Sequence, residues 1–141
     1  MGSLIFKGSV KFDKPTVGGA CLLAALAWTA HQSPFDLMVT CGTEAHEPDD
    51  PHTKGNALDV RSHSFSLADK NSVFHLIMSY LSDLTDQLGA DARVISTSDG
   101  LATALFFGFI ESEGMPNEHF HLQVRKGQHV PTFEPPTTRA A

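Results

Sequence analysis

Apolar positions change their period along this chain, and the changes mark out the elements. From Gly18 to His31 (GGACLLAALAWTAH) the residues are apolar nearly all round and rich in Ala and Leu. Such residues are strong helix formers, so the stretch predicts a buried helix. Ser33-Pro34 ends it, and Phe35 to Thr40 (FDLMVT) predicts a strand. Cys41 to Lys54 is polar, with Pro, His and acidic residues, and predicts an exposed loop. Asn56 to Arg61 (NALDVR) alternates and predicts a second strand. Leu67 to Leu88 predicts the longest helix, with Val73, Ile77, Tyr80, Leu84 and Leu88 on one face. Ser66 caps its start and Gly89 closes its end.

Arg93 to Thr97 and Ala104 to Glu111 then predict strands around a Ser98-Asp99-Gly100 turn. After a second turn at Gly114 to Asn117, Glu118 to Arg125 (EHFHLQVR) alternates strongly and predicts the last strand. The order does not alternate βαβα, and the later turns are hairpin-like. The expected fold class is therefore α+β, an antiparallel β-sheet with helices packed on one side. Residues 1–127 form a single expected domain, and the Pro- and Thr-rich residues 128–141 a loose tail.

Composition narrows the function. A chain of 141 residues is the size of one domain, and 41% hydrophobic content with ten Phe supplies a core. The net charge of -6 is spread along the chain, with no basic stripe, which argues against nucleic acid and anionic membrane surfaces as partners. The apolar run from Gly18 to Ala30 is too short to span a bilayer, and the start lacks a signal-like h-region. A cytoplasmic monomer is expected from the chain as written. Cys21 and Cys41 read as buried thiols of a reducing compartment, with a single disulfide between them as the alternative.

Five of the eight His fall in two clusters, His46, His52 and His63 in one, His119 and His121 in the other. Histidine with carboxylate is the usual ligand set of a catalytic zinc. In His52-Thr-Lys-Gly55-Asn-Ala57-Leu-Asp59, alternation from Asn56 puts Ala57, Asp59 and Arg61 on one face and turns Leu58 and Val60 to the core. In Glu118-His119-Phe120-His121-Leu122-Gln123-Val124, the same period puts His119, His121 and Gln123 on one face. Glu118 reaches that face only if the strand begins irregularly after Pro116-Asn117. His46, His63 and His129 read as surface residues, and His31 and His75 as packing or capping residues of helices. Phe106-Phe107 reads as core and Asp49-Asp50 as a solvated acidic turn.

The first of these segments resembles the S-x-H-x-x-G-x-A-x-D signature of the zinc D-alanyl-D-alanine carboxypeptidases, a family that includes VanX- and VanY-type enzymes and small phage endolysins. The second resembles that family's E-x-x-H signature, and the whole is similar to the related zinc fold of the hedgehog signalling domain. The resemblance implies zinc held by His52, Asp59 and His121, with Glu118 as catalytic base, while His119 reads either as a partner that orients Asp59 or the substrate or as a plain polar-face residue. It implies a hedgehog/DD-peptidase-like fold and hydrolysis of a peptidoglycan stem peptide or another D-Ala-containing peptide, by a carboxypeptidase or endopeptidase. The alternative is a hedgehog-like zinc-containing binding module without hydrolysis. The chain departs from the signature at Asp50, where the family has Ser, and at Glu44, near the position of a substrate-binding Arg. Lys54 and Arg61 are the cations that stand to replace it.

Overall fold

The computed structural model describes residues 1–44, 47–128 and 130. His46, His129 and nearly all of the predicted tail lie outside the described residues. The elements run β1 (Leu4–Phe6), α1 (Val17–Gln32), β2 (Leu37–Cys41), β3 (Ala57–Arg61), α2 (Leu67–Gln87), β4 (Ile95–Ser96), β5 (Leu101–Ala102), β6 (Phe106–Glu111) and β7 (His119–Val124). The fold is α+β, one seven-stranded sheet in the order β1-β2-β3-β7-β6-β5-β4.

The sheet is mixed rather than antiparallel, because β1 pairs in parallel with β2 through Leu4 opposite Leu37 and Phe6 opposite Val39. Helix α1 joins the two, supplying the long connection that a parallel pair needs. β1 has no sequence signature because it is three residues long and mostly exposed on the sheet's edge. The predicted 93–97 and 104–111 hairpin is also redrawn. Leu101–Ala102 forms a strand of its own, paired with β4 on one side and β6 on the other.

Both helices pack on one face of the sheet and against each other. Leu58 and Val60 of β3, Phe120 and Leu122 of β7 and Phe106 of β6 meet Leu22 and Leu26 of α1 and Val73, Ile77 and Leu81 of α2. Each of these is at most 3% exposed, so this layer holds most of the apolar burial that drives folding. At Gly108 an added Cβ would lie 3.0 Å from the Phe74 ring and 3.3 Å from Met78 Sδ, so glycine lets α2 settle closely on β6.

Local chemistry starts and stops the helices. Thr16 Oγ1 accepts from Gly19 N–H at 2.9 Å at the head of α1, and Ser66 accepts from Asp69 N–H at 3.1 Å at the head of α2. Gly89, at φ 82°, ends α2: its N–H donates to Asp86 O, and Ala90 N–H to Thr85 O, the paired bonds of a Schellman turn. The buried stripe of α2 is Lys70, Val73, Phe74, Ile77, Met78, Leu81 and Thr85, rotated from the predicted face. Tyr80, Leu84 and Leu88 are only partly buried. Hydrophobicity alone misplaces the stripe because its two ends are polar. His31 and His75 are exposed on their helices rather than packed. No helix among the described residues is long and apolar enough to cross a membrane.

Candidate metal centre

The sheet face away from the helices carries a row of polar residues that the strand registers place side by side. Asp59 pairs with Cys41 of β2 on one side and His121 of β7 on the other, and His121 pairs in turn with Phe109 of β6. One step along, Arg61, His119 and Glu111 form a second row. His52 reaches the first row from the loop before β3. Asp50, at the position where the resembled family has Ser, accepts the His52 N–H at 2.8 Å. Gly55 then closes the turn at φ 77°, with its carbonyl accepting from Thr16 Oγ1 at 2.8 Å.

Asp59 is the focus. Its Oδ1 lies 3.0 Å from His121 Nδ1 and 3.2 Å from His52 Nε2, and both histidines are buried. The other nitrogen of each ring faces an oxygen. His52 Nδ1 is 3.1 Å from Gly42 O, and His121 Nε2 is 2.7 Å from Gln123 Oε1. A carbonyl or amide oxygen accepts but does not donate, so these outer nitrogens carry the ring protons. In the neutral rings the inner nitrogens then turn lone pairs toward a carboxylate oxygen. Two lone pairs and an anion repel unless a cation sits among them. Outer nitrogens donating to oxygens while inner ones converge is how metal-binding histidines are oriented. The structure holds His, Asp and Cys groups that could bind a metal ion, with Cys41, His52 and Asp59 grouped together and His121 adjoining them at Asp59 Oδ1.

A proton can play the same part. Burial alone would raise the Asp59 carboxyl, but hydrogen bonds from His121 and His52 and the charges of His52 and His119 hold it far below the ordinary carboxylate range. Burial would lower His121, yet its bonds to Asp59 and Gln123 and the charge of Asp59 raise it. Both directions express the same demand for positive charge at this point.

His119 stands beside the cluster. Its Nδ1 donates to Asn117 O at 2.8 Å. Its Nε2 is 3.5 Å from Asp59 Oδ2 and 2.5 Å from Glu111 Oε2. That nitrogen is enclosed and makes no hydrogen bond in the structure, although Glu111 Oε2 lies close to it. Asp59, Glu111 and His119 form one group of closely spaced ligand atoms, and Cys41, His52 and Asp59 another.

Glu118 lines the same cleft as Asp59 and His119, but its carboxylate is held by other partners. Its carboxylate is buried on the helix side of the sheet, where Lys70 Nζ donates at 2.9 Å, Ser62 Oγ at 2.9 Å and Gly114 N–H at 2.8 Å. Burial would raise this carboxyl, but Lys70 and the other two donors hold it below its usual value. Glu118 precedes β7, and its N–H donates to Met115 O at 3.0 Å within the turn. Glu111, half exposed and two strands from Asp59, is the carboxylate that does reach the site face. Sequence reasoning missed it because only the β6–β7 register sets it opposite His119.

The remaining candidates separate cleanly. Arg61 and the exposed His63 line a cleft of about 280 Å³ together with Asp59, Glu118, His119 and Lys7. Lys54 lines a different cleft with Asp49 and Gln123. Glu44 is occupied by the backbone, accepting from Lys11 N–H at 3.0 Å and Gly42 N–H at 2.9 Å. Phe106 is core as expected, but Phe107 turns to the other face beside Phe109. Phe109 packs on the His121 ring at 4.8 Å between centroids. No disulfide joins Cys21 to Cys41.

No family model, curated protein or solved structure matches this chain.

Proposed function

We propose that this protein is a zinc-dependent peptidase of bacterial cell-wall peptides, with His52, Asp59 and His121 as metal ligands. The observation that carries the metal is the convergence of two tautomerically oriented imidazoles on Asp59 Oδ1. Two His and one carboxylate are a donor set suited to zinc. The substrate class follows from the motif resemblance.

Zinc in this site supplies a Lewis acid that makes water acidic near neutral pH and polarises a carbonyl. Glu111, rather than Glu118, is the group we assign to take the proton from the attacking water and return it to the departing amine. It has the exposure and the position at the mouth of the site that a proton carrier needs. His119, fixed by Asn117 O, offers its enclosed Nε2 to that proton or to the substrate oxygen. Arg61, lining the same cleft as Asp59 and His119, supplies the positive charge for a substrate carboxylate or carbonyl.

The binding-module reading is favoured by one feature, the withdrawal of the motif's own carboxylate, Glu118, into a buried ion pair. Digestion of purified muropeptides, read by mass spectrometry, separates the two readings. Zinc-loaded protein is expected to release a terminal D-Ala or make an internal cut. Glu111→Gln is expected to keep the metal and lose about 10²–10⁴-fold in turnover, the usual contribution of a general acid–base group. Glu118→Gln should keep substantial turnover. Intact muropeptides with fully zinc-loaded protein would leave the binding module as the better account.

A further inference from the structure

The register of β2 against β3 contains an irregularity with a chemical result. Val39 stands opposite Val60, but Cys41 rather than Thr40 stands opposite Asp59. Two residues of β2 thus span one step of β3, a β-bulge. Without it, Thr40 would face Asp59 and Cys41 would pair with Leu58, whose side chain enters the core. The bulge turns the thiol to the metal face instead. Thr40 Oγ1 meets the Asp59 carbonyl at 3.5 Å across the irregular step. Cys41 Sγ, a His52 nitrogen and an Asp59 carboxylate oxygen all lie within 4.8 Å of one another. One ion bonded at about 2.0–2.3 Å to each of its ligands spans that spread.

We propose that Cys41 is a further protein ligand of the metal beside His52 and Asp59, with His121, whose Nδ1 is 3.0 Å from Asp59 Oδ1, as the fourth. The inference rests on the metal site proposed above and changes what that site is at rest. Three protein ligands leave a position open for water, whereas four close a tetrahedral site. Cys41 therefore makes the resting site closed. Were zinc held by all four, a water could reach it only if Cys41 gave up its place. A thiolate also biases the donor set toward zinc and away from magnesium, calcium or manganese.

The test is X-ray absorption at the zinc edge on full-length, zinc-loaded protein, for wild type, Cys21→Ser and Cys41→Ser. The expected result is one sulfur at about 2.3 Å in wild type and Cys21→Ser, replaced by an oxygen or nitrogen shell in Cys41→Ser. Cys41→Ser should also bind zinc at least about tenfold more weakly. Should that variant fold poorly, alkylation of wild type by iodoacetamide carries the test. Zinc should protect Cys41 and a chelator expose it, with Cys21 as the internal reference. A stoichiometric zinc with only nitrogen and oxygen neighbours, or a Cys41 alkylated equally with and without zinc, overturns Cys41 as a ligand and leaves the three-residue site standing. A protein that binds no zinc overturns both.

Discussion

Gln123 shows how much of a metal centre is decided by residues that never touch the metal. Its Oε1, 2.7 Å from His121 Nε2, sets which nitrogen of that ring carries the proton and so turns the Nδ1 lone pair toward Asp59. Gln123→Leu keeps the bulk and removes the acceptor. Zinc affinity, measured by competition with a chromophoric chelator, should fall by about 10–100-fold, the usual loss on removing such a partner. Unchanged affinity would mean that Phe109, stacked beside the ring, orients it alone. Much at this scale is legible without coordinates. The period of two puts Asp59 on the face opposite Leu58 and Val60, and sets His119 and His121 together. Glu118 shows the limit of motif spacing: three residues from His121, it precedes β7 and its carboxylate is taken by Lys70, Ser62 and Gly114. Glu111 and Cys41 are legible only through pairing, since one depends on the β6–β7 register and the other on a bulge.

At the scale of elements, the buried Lys70–Glu118 pair joins α2 to the start of β7, and the Gly114 N–H draws the β6–β7 turn onto the same carboxylate. Breaking it strands a charge. Glu118→Gln should cost roughly 2–3 kcal/mol by urea denaturation at neutral pH, less than for a deep interior pair because the turn lies near the surface. The Glu118 carboxyl is depressed in the folded state, so its contribution is present above the unfolded value of about 4.3 and is lost as pH falls through the lower folded value. The gap between wild type and variant should therefore close in acid, and a gap that stays constant there would assign the loss to packing instead. Gly55 is the second element-scale device. At φ 77°, with an added Cβ only 2.0 Å from Lys14 O, it lets the loop carrying His52 turn under the N-terminal segment. Gly55→Ala should destabilise the fold by more than about 1 kcal/mol and weaken zinc binding with it. If zinc affinity is untouched, His52 does not depend on this turn.

Over the whole molecule, one face of the sheet holds the protein together and the other gathers its chemistry. The helical face is closed by Phe106, Phe120, Leu22 and Ile77. The α+β class and both helices follow from periodicity and end signals in the chain. The mixed sheet does not, because three-residue β1 and two-residue β4 and β5 are too short to show a period. On the other face, Asp59 and its histidines gather groups that could bind a metal ion. A ligand that binds only the folded state stabilises it by about 2.7 kcal/mol at a hundred times its dissociation constant. Zinc should thus raise the melting temperature of wild type.

The most direct measurement is zinc stoichiometry, by elemental analysis after loading and dialysis against a mild chelator, on wild type beside Asp59→Asn and Glu118→Gln. One zinc per wild-type chain, retained in Glu118→Gln and lost in Asp59→Asn, is the predicted result. Zinc that washes out of wild type, or that stays equally in Asp59→Asn, would contradict a metal centre built on Asp59.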